Sequence, residues 1–202
     1  FAGADLENVL NEAALLAARR NLPDIRMKEI EDAMVKVTMG PEKKTKVRSE
    51  KENKLVAYHE AGHAILFHVL PEVGPVYTVS IIPTGLGAAG YTMPLPERDE
   101  MFNTKGRMLQ EIMVSLGGRI AEEIIFDDIT TGASSDIKRA TKLARKMVTR
   151  FGMSENIGVI NYDDDDDEVF IGRDLAHTRS HSESIAGEID KEVKVMIDDC
   201  YA

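Results

Sequence analysis

Residues 58–68 read YHEAGHAILFH and hold three of the chain's five histidines. His59 and His63 stand four apart, with Glu60 between them. On a helix they would be separated by about 40° around the axis, with Cβ atoms roughly 5–6 Å apart, so both imidazoles can reach one ion. Glu60, about 100° from His59, is near enough to address a water on that ion. His68 is about 180° from His59 and cannot join them. Leu55, Val56, Leu66, Phe67 and Leu70 share the histidines' side of the helix, so the two rings face an apolar interior. Imidazoles buried there need partners. A metal ion accounts for both rings and for the glutamate between them.

A zinc ion that performs chemistry takes three protein ligands and keeps one position open. The extended His-Glu-x-x-His-x-x-Gly-x-x-His pattern fails here, because Leu66 and Val69 stand where its glycine and third histidine belong. The third ligand must come from another element, and acidic residues on faces that should be apolar are the candidates. Asp136 falls at the helical angle of Ala140, Leu143 and Met147, the side read as buried. It follows Ser134 and Ser135 in a first helical turn, where the helix dipole favours the ionised carboxylate that a metal requires. Glu123 is its competitor, set among Leu109, Ile112, Leu116 and Ile120, while Glu122 reads as facing more outward. Glu123 would be either the third ligand or a carboxylate orienting a ligating histidine. Spacing favours Asp136 and leaves Glu123 open.

These residues need elements to hold them. Residues 3–21 read as a helix with Asp5 at its start and Leu6, Val9, Leu10, Ala13, Leu16 and Ala17 at helical spacing. Residues 27–40 read as a second, closed by Gly40-Pro41. The charged stretch 41–54 reads as a linker, with a domain boundary near residue 46. A third helix, from about Ser49 to Leu70, carries the histidines. Residues 76–84, VYTVSIIPT, are β-branched and read as a strand. Residues 90–100 read as irregular or edge-like because of Pro94 and Pro96. Residues 103–126 form a long helix with a weak point at Gly117-Gly118, residues 130–136 a turn, 137–151 another helix, and 182–200 a last one. The chain is thus mainly α with one small β element.

Composition narrows the class. The chain has 202 residues, 43% hydrophobic and 30% charged, as a soluble globular protein has. It opens mid-pattern, with no secretory signal and no apolar run of about 20 residues, and reads as part of something longer. The single Cys200 excludes an internal disulfide framework and a Cys-rich zinc site, and points to a reducing compartment. Residues 1–48 carry 9 basic and 8 acidic side chains, the remainder 16 and 27, within a net charge of -10. So acidic a second part argues against nucleic-acid binding.

Three other features invite a function and fail to support it. Gly85 to Gly90 matches G-x-G-x-x-G after a strand, but Pro94 and Pro96 forbid the helix that a dinucleotide site requires. Lys138, Arg139, Lys142, Arg145, Lys146 and Arg150 share one face of a helix whose opposite arc holds Ala140, Leu143, Ala144, Met147, Val148 and Phe151; this is the solvated side of a packed helix. The run Asp163 to Asp167 lacks the glycine and glutamate spacing of an EF-hand and reads as a solvated loop.

FAGADLENVLNEAALLAARR, YHEAGHAI, GRIAEEIIF, TTGASSDI followed by RAT, and FGMS together resemble the carboxy-terminal half of the FtsH family, membrane-anchored ATP-dependent AAA+ zinc proteases. The resemblance spans nearly the whole chain. It implies a helical AAA+ lid fragment with its linker at residues 1–46 and a largely helical zinc metallopeptidase domain at 47–202. It implies His59, His63 and Asp136 as ligands of one Zn²⁺ per chain and Glu60 as catalytic base, which raises Asp136 well above Glu123. It further implies a homo-hexamer that takes unfolded polypeptides and membrane proteins as substrates. The full-length protein would sit in a membrane, on the cytoplasmic face in a bacterium or the matrix or stromal side in an organelle. No phosphate-loop motif occurs in this chain, so ATP and Mg²⁺ belong to the full-length protein. Pro83-Thr84-Gly85-Leu86 departs from the family, which more often has an arginine before the glycine, and this puts substrate contacts there in question. The strand Thr78 to Ile82 offers an edge on which an extended substrate would add as another strand. A docking or adaptor module with structural zinc is the alternative.

Overall fold

A computed structural model describes residues 2–43, 48–85, 87–95, 101–162 and 182–202. The run Asp163 to Asp167, Pro96 and the boundary expected near residue 46 lie outside them. The elements are, in order, α1 (Gly3–Arg19), α2 (Met27–Met39), α3 (Glu50–Val69), β1 (Val76–Ser80), β2 (Tyr91–Pro94), α4 (Lys105–Phe126), a single 3₁₀ turn (Thr131–Ala133), α5 (Ser134–Thr149) and α6 (Glu183–Tyr201). The mainly helical reading with one small β element holds. The chain forms two units, Phe1–Glu60 with Val79–Thr92, and Ala61–Thr78 with Met93–Ala202.

In the first unit α1 and α2 bury Val9, Ala13 and Ala33 against Leu16, Ile30, Met34 and Val37, following the spacing of apolar residues along both helices. Arg20 ties the pair by bonding Glu29 at 2.7 Å and Asp32 at 2.5 Å. Asp5 lies in the first turn of α1 and accepts the Ala2 N–H at 2.7 Å. The described ends of the charged stretch after α2 are fastened to the glycine-rich turn. Lys43 N–H donates to Pro83 O at 2.7 Å, Gly85 N–H to Pro41 O at 2.8 Å, and the Arg48 guanidinium to Ala89 O at 2.9 Å. That turn leads into β2, not a helix, so the dinucleotide pattern has no helix N-terminus to use. β1 and β2 pair as a two-stranded sheet, in which every strand is an edge. β1 ends at Ser80, short of the expected Thr84.

The second unit is built on α4, α5 and α6. Its core joins Met108, Ile112 and Leu116 of α4, Ala140, Ala144, Met147 and Val148 of α5, and Ile189, Val193 and Cys200 of α6. Ala140 and Ala144 leave α5 room for close packing. The basic side chains take the other face, except that Phe151, expected inward, is 46% exposed because α5 stops at Thr149.

Gly117 is no weak point in α4. A Cβ on Gly62 would lie 2.3 Å from Gly117 O and 2.8 Å from the Ala121 Cβ, and one on Gly117 would lie 2.9 Å from Gly62 O. α3 and α4 therefore cross with backbone against backbone, which only glycine permits at both positions. Further along, Thr104 Oγ1 donates to Glu72 Oε2 at 3.0 Å, and Glu72 N–H to Gln110 Oε1 at 2.9 Å, tying the segment after α3 to the start of α4.

Candidate metal centre

α3 runs unbroken through His59 and His63, so helix geometry alone stacks the two rings one turn apart. Both are buried, at 9% and 8% exposure, and Glu60 between them is 5% exposed. His68 on the same helix is exposed, as its angle requires. The glycine crossing brings His63 to α4, where its Nδ1 lies 2.7 Å from Val114 O. A carbonyl only accepts, so the Nδ1 N–H donates to it and orients the ring, which leaves Nε2 as the nitrogen that a metal would take. His63 Nε2 lies 3.8 Å from Asp136 Oδ2.

Asp136 occupies the first turn of α5 with its side chain 30% exposed. The helix begins at Ser134, two residues before it and earlier than the expected turn at 130–136 allows. One ligand atom from each of His59, His63 and Asp136 lies within 4.8 Å of the other two. Two imidazole nitrogens and one carboxylate oxygen suit zinc, whose tetrahedral ligand atoms stand about 3.3 Å apart. The residues fit the ion, with a contraction of at most about 1.5 Å to close on it.

The two glutamates of α4 exchange the places expected for them. Glu122 is fully buried, and its Oε2 accepts the Thr130 N–H and the Thr130 hydroxyl, each at 2.9 Å. Thr130 Oγ1 in turn accepts the Gly132 N–H at 3.1 Å and so caps the 3₁₀ turn that delivers α5 and Asp136. Glu123 is exposed and takes the Tyr201 hydroxyl of α6. Glu122 falls in line with Met108, Ile112 and Ser115, buried residues at three- and four-residue steps, whereas Glu123 lies one step further round. The sequence held that stripe, but the apolar neighbours of Glu123 masked it.

Glu60 has partners of its own. Thr92 Oγ1 donates to Glu60 Oε2 at 2.8 Å and lies 3.2 Å from the Glu60 carbonyl oxygen. Gly90 lies beside the other oxygen, since a Cβ there would be 2.7 Å from Oε1. Burial pushes the Tyr91 phenol up, against the lowering effect of its bond with Ser80. No sequence signal pointed to Thr92. Gly62 and Gly90 were visible only as glycines, because close approach is a tertiary property.

The sequence profile of peptidase family M41 matches residues 46–202, and that of the AAA+ lid domain matches residues 1–32. The chain is 55% identical over 201 residues to the ATP-dependent zinc metalloprotease FtsH of Caldicellulosiruptor bescii, covering all of this chain and 32% of that protein. It is 55% identical to the ATP-dependent zinc metalloprotease FtsH 1 of Thermoanaerobacter sp., covering 33% of it, and 48% identical to FtsH of Thermotoga maritima, again covering 33%. The chain thus spans about a third of the length of the curated relatives it matches.

Proposed function

The chain belongs to peptidase family M41, and from that premise we propose that it is the zinc endopeptidase part of an ATP-dependent AAA+ protease. The observation that carries the reading is the His59, His63 and Asp136 cluster, with its ligand atoms within 4.8 Å of one another and the buried Glu60 between the histidines. When bound, zinc supplies a Lewis acid for the scissile carbonyl and a bound water with its pKa lowered towards about 7. His59 and His63 would hold it through imidazole nitrogens and Asp136 through a carboxylate oxygen. Glu60 takes the proton of the attacking water and delivers it to the leaving amine as the C–N bond breaks. The burial of Glu60 and both histidines keeps the proton transfer shielded from bulk water.

In this reading residues 1–46 are the end of the AAA+ lid with its linker, and 47–202 the metallopeptidase domain. The intact protein would be a membrane-anchored homo-hexamer that binds ATP and Mg²⁺ outside this chain and feeds unfolded polypeptides and membrane proteins to the zinc sites. Among the described residues no helix is long and apolar enough to cross a membrane, so the anchor would lie elsewhere. An extended substrate would add to an edge of the β1–β2 sheet, at Thr78 to Ser80.

Zinc content and cleavage of an unfolded polypeptide, measured together on the wild type and Glu60→Gln, test the assignment. The variant should keep its zinc and lose cleavage. Zinc retained in both with no cleavage by either would make the ion structural and the domain a docking module.

A further inference from the structure

We propose that Thr92 is a positioning residue for Glu60, whose other carboxylate oxygen is seated over Gly90. The inference rests on the reading of Glu60 as the base. A glutamate on a helix has three side-chain torsions and many rotamers, and a base must hold one within hydrogen-bond reach of its proton. Here two neighbours select it. The Thr92 hydroxyl donates to Oε2 at 2.8 Å from β2, where a β-branched side chain on an extended backbone has little torsional freedom. Gly90 sits under the other oxygen. An added Cβ would stand 2.7 Å from Glu60 Oε1, 2.7 Å from Ser80 O and 2.8 Å from Val56 Cγ1. Gly90 is not among the glycines with positive φ, so space and not backbone conformation excludes a side chain there.

Oε2 is engaged as acceptor by the threonine. The Thr92 hydroxyl has one proton to give and two acceptors in range, Oε2 and the Glu60 carbonyl oxygen at 3.2 Å.

The test uses the zinc-loaded full-length protease and an unstructured fluorogenic peptide, with kcat, KM and zinc content measured for wild type, Thr92→Val, Thr92→Ser and Glu60→Gln. Thr92→Val keeps shape and removes the donor, and should lower kcat roughly 10- to 100-fold, the worth of one hydrogen bond to a charged group. KM should stay within about twofold, as expected for an interaction that serves only the chemical step. Zinc content should not change, and Thr92→Ser should recover most of the loss. In a crystal structure of Thr92→Val the Glu60 carboxylate should leave its place over Gly90. Wild-type kcat in Thr92→Val, an equal defect in Thr92→Ser, or loss of zinc from Thr92→Val would each overturn the proposal while leaving the base assignment intact. An active Glu60→Gln would overturn both.

Discussion

Replacing Gly62 by alanine tests how this site is held. The new Cβ would lie 2.3 Å from the Gly117 carbonyl oxygen and 2.8 Å from the Ala121 Cβ. A helix carbonyl cannot swing aside as a side-chain tip can, so α3 and α4 must part, by about 1 Å to restore ordinary contact distances. The next residue is His63, whose Nδ1 is 2.7 Å from Val114 O on α4. Lengthening that bond by about 1 Å takes it beyond useful hydrogen-bond range. Overpacking costs about 1–3 kcal/mol, and the lost buried hydrogen bond costs about 1 kcal/mol more. The better helix propensity of alanine returns about 1 kcal/mol. The net is a destabilisation of about 1–3 kcal/mol, read by urea unfolding in chelator, with weaker zinc binding in a separate titration. Gly187→Ala in α6 is the control. Its Cβ meets nothing within 4 Å, so propensity alone should stabilise the protein by about 1 kcal/mol. The two substitutions should therefore shift stability in opposite directions. If Gly62→Ala were as stable as the wild type, with unchanged zinc affinity, the backbone-contact account of the site would be wrong.

The two carboxylates of α4 should separate cleanly. Glu122→Ala leaves the Thr130 N–H without its acceptor and should cost about 1–3 kcal/mol and weaken zinc binding, while Glu123→Ala, at an exposed position, should change stability by under about 0.5 kcal/mol; thermal melts and zinc titrations of both decide it. Asp136→Asn should lower zinc occupancy, and unchanged metal content by mass spectrometry would remove it from the ligand set. Glu192 accepts bonds from Ser154 and Asn156 at 2.7 Å each, which hold its carboxyl below the usual carboxylate range. A depressed value contributes stability above that range and loses it as pH falls through the folded-state value. Glu192→Gln should therefore be less stable than wild type at pH 7, by under about 1 kcal/mol, and the gap should shrink on acidification in pH-dependent urea melts. Glu29 is held low by Arg20, so the α1–α2 pair should loosen over the same acidic window.

The proposed site residues His59, Glu60, His63 and Asp136 stand out in the sequence because such side chains are rare in an apolar stripe. A helix converts a four-residue spacing into a shared face, and Asp136 falls on the angle of Ala140, Leu143 and Met147; the structure brings His59, His63 and Asp136 together. Which glutamate of α4 faces inward is not legible in the sequence, because the helix is buried around most of its circumference between Val114 and Gly118 and apolar neighbours fail to distinguish Glu122 from Glu123. Gly62, Gly90 and Gly117 act through contacts between elements far apart in sequence, which no local pattern encodes. Thr92 is likewise an ordinary strand residue until the fold sets its hydroxyl against Glu60. The early stop of β1 at Ser80 and of α5 at Thr149 reflect boundaries that apolar patterning fixes only loosely.

We propose that one zinc ion is held by His59, His63 and Asp136. An anomalous difference map recorded on either side of the zinc edge, from crystals of the zinc-loaded protein, tests it most directly. A single peak about 2.0–2.2 Å from one atom of each of the three side chains is the expected result. A zinc peak bound without Asp136, or one coordinated by an α4 glutamate, would contradict the account.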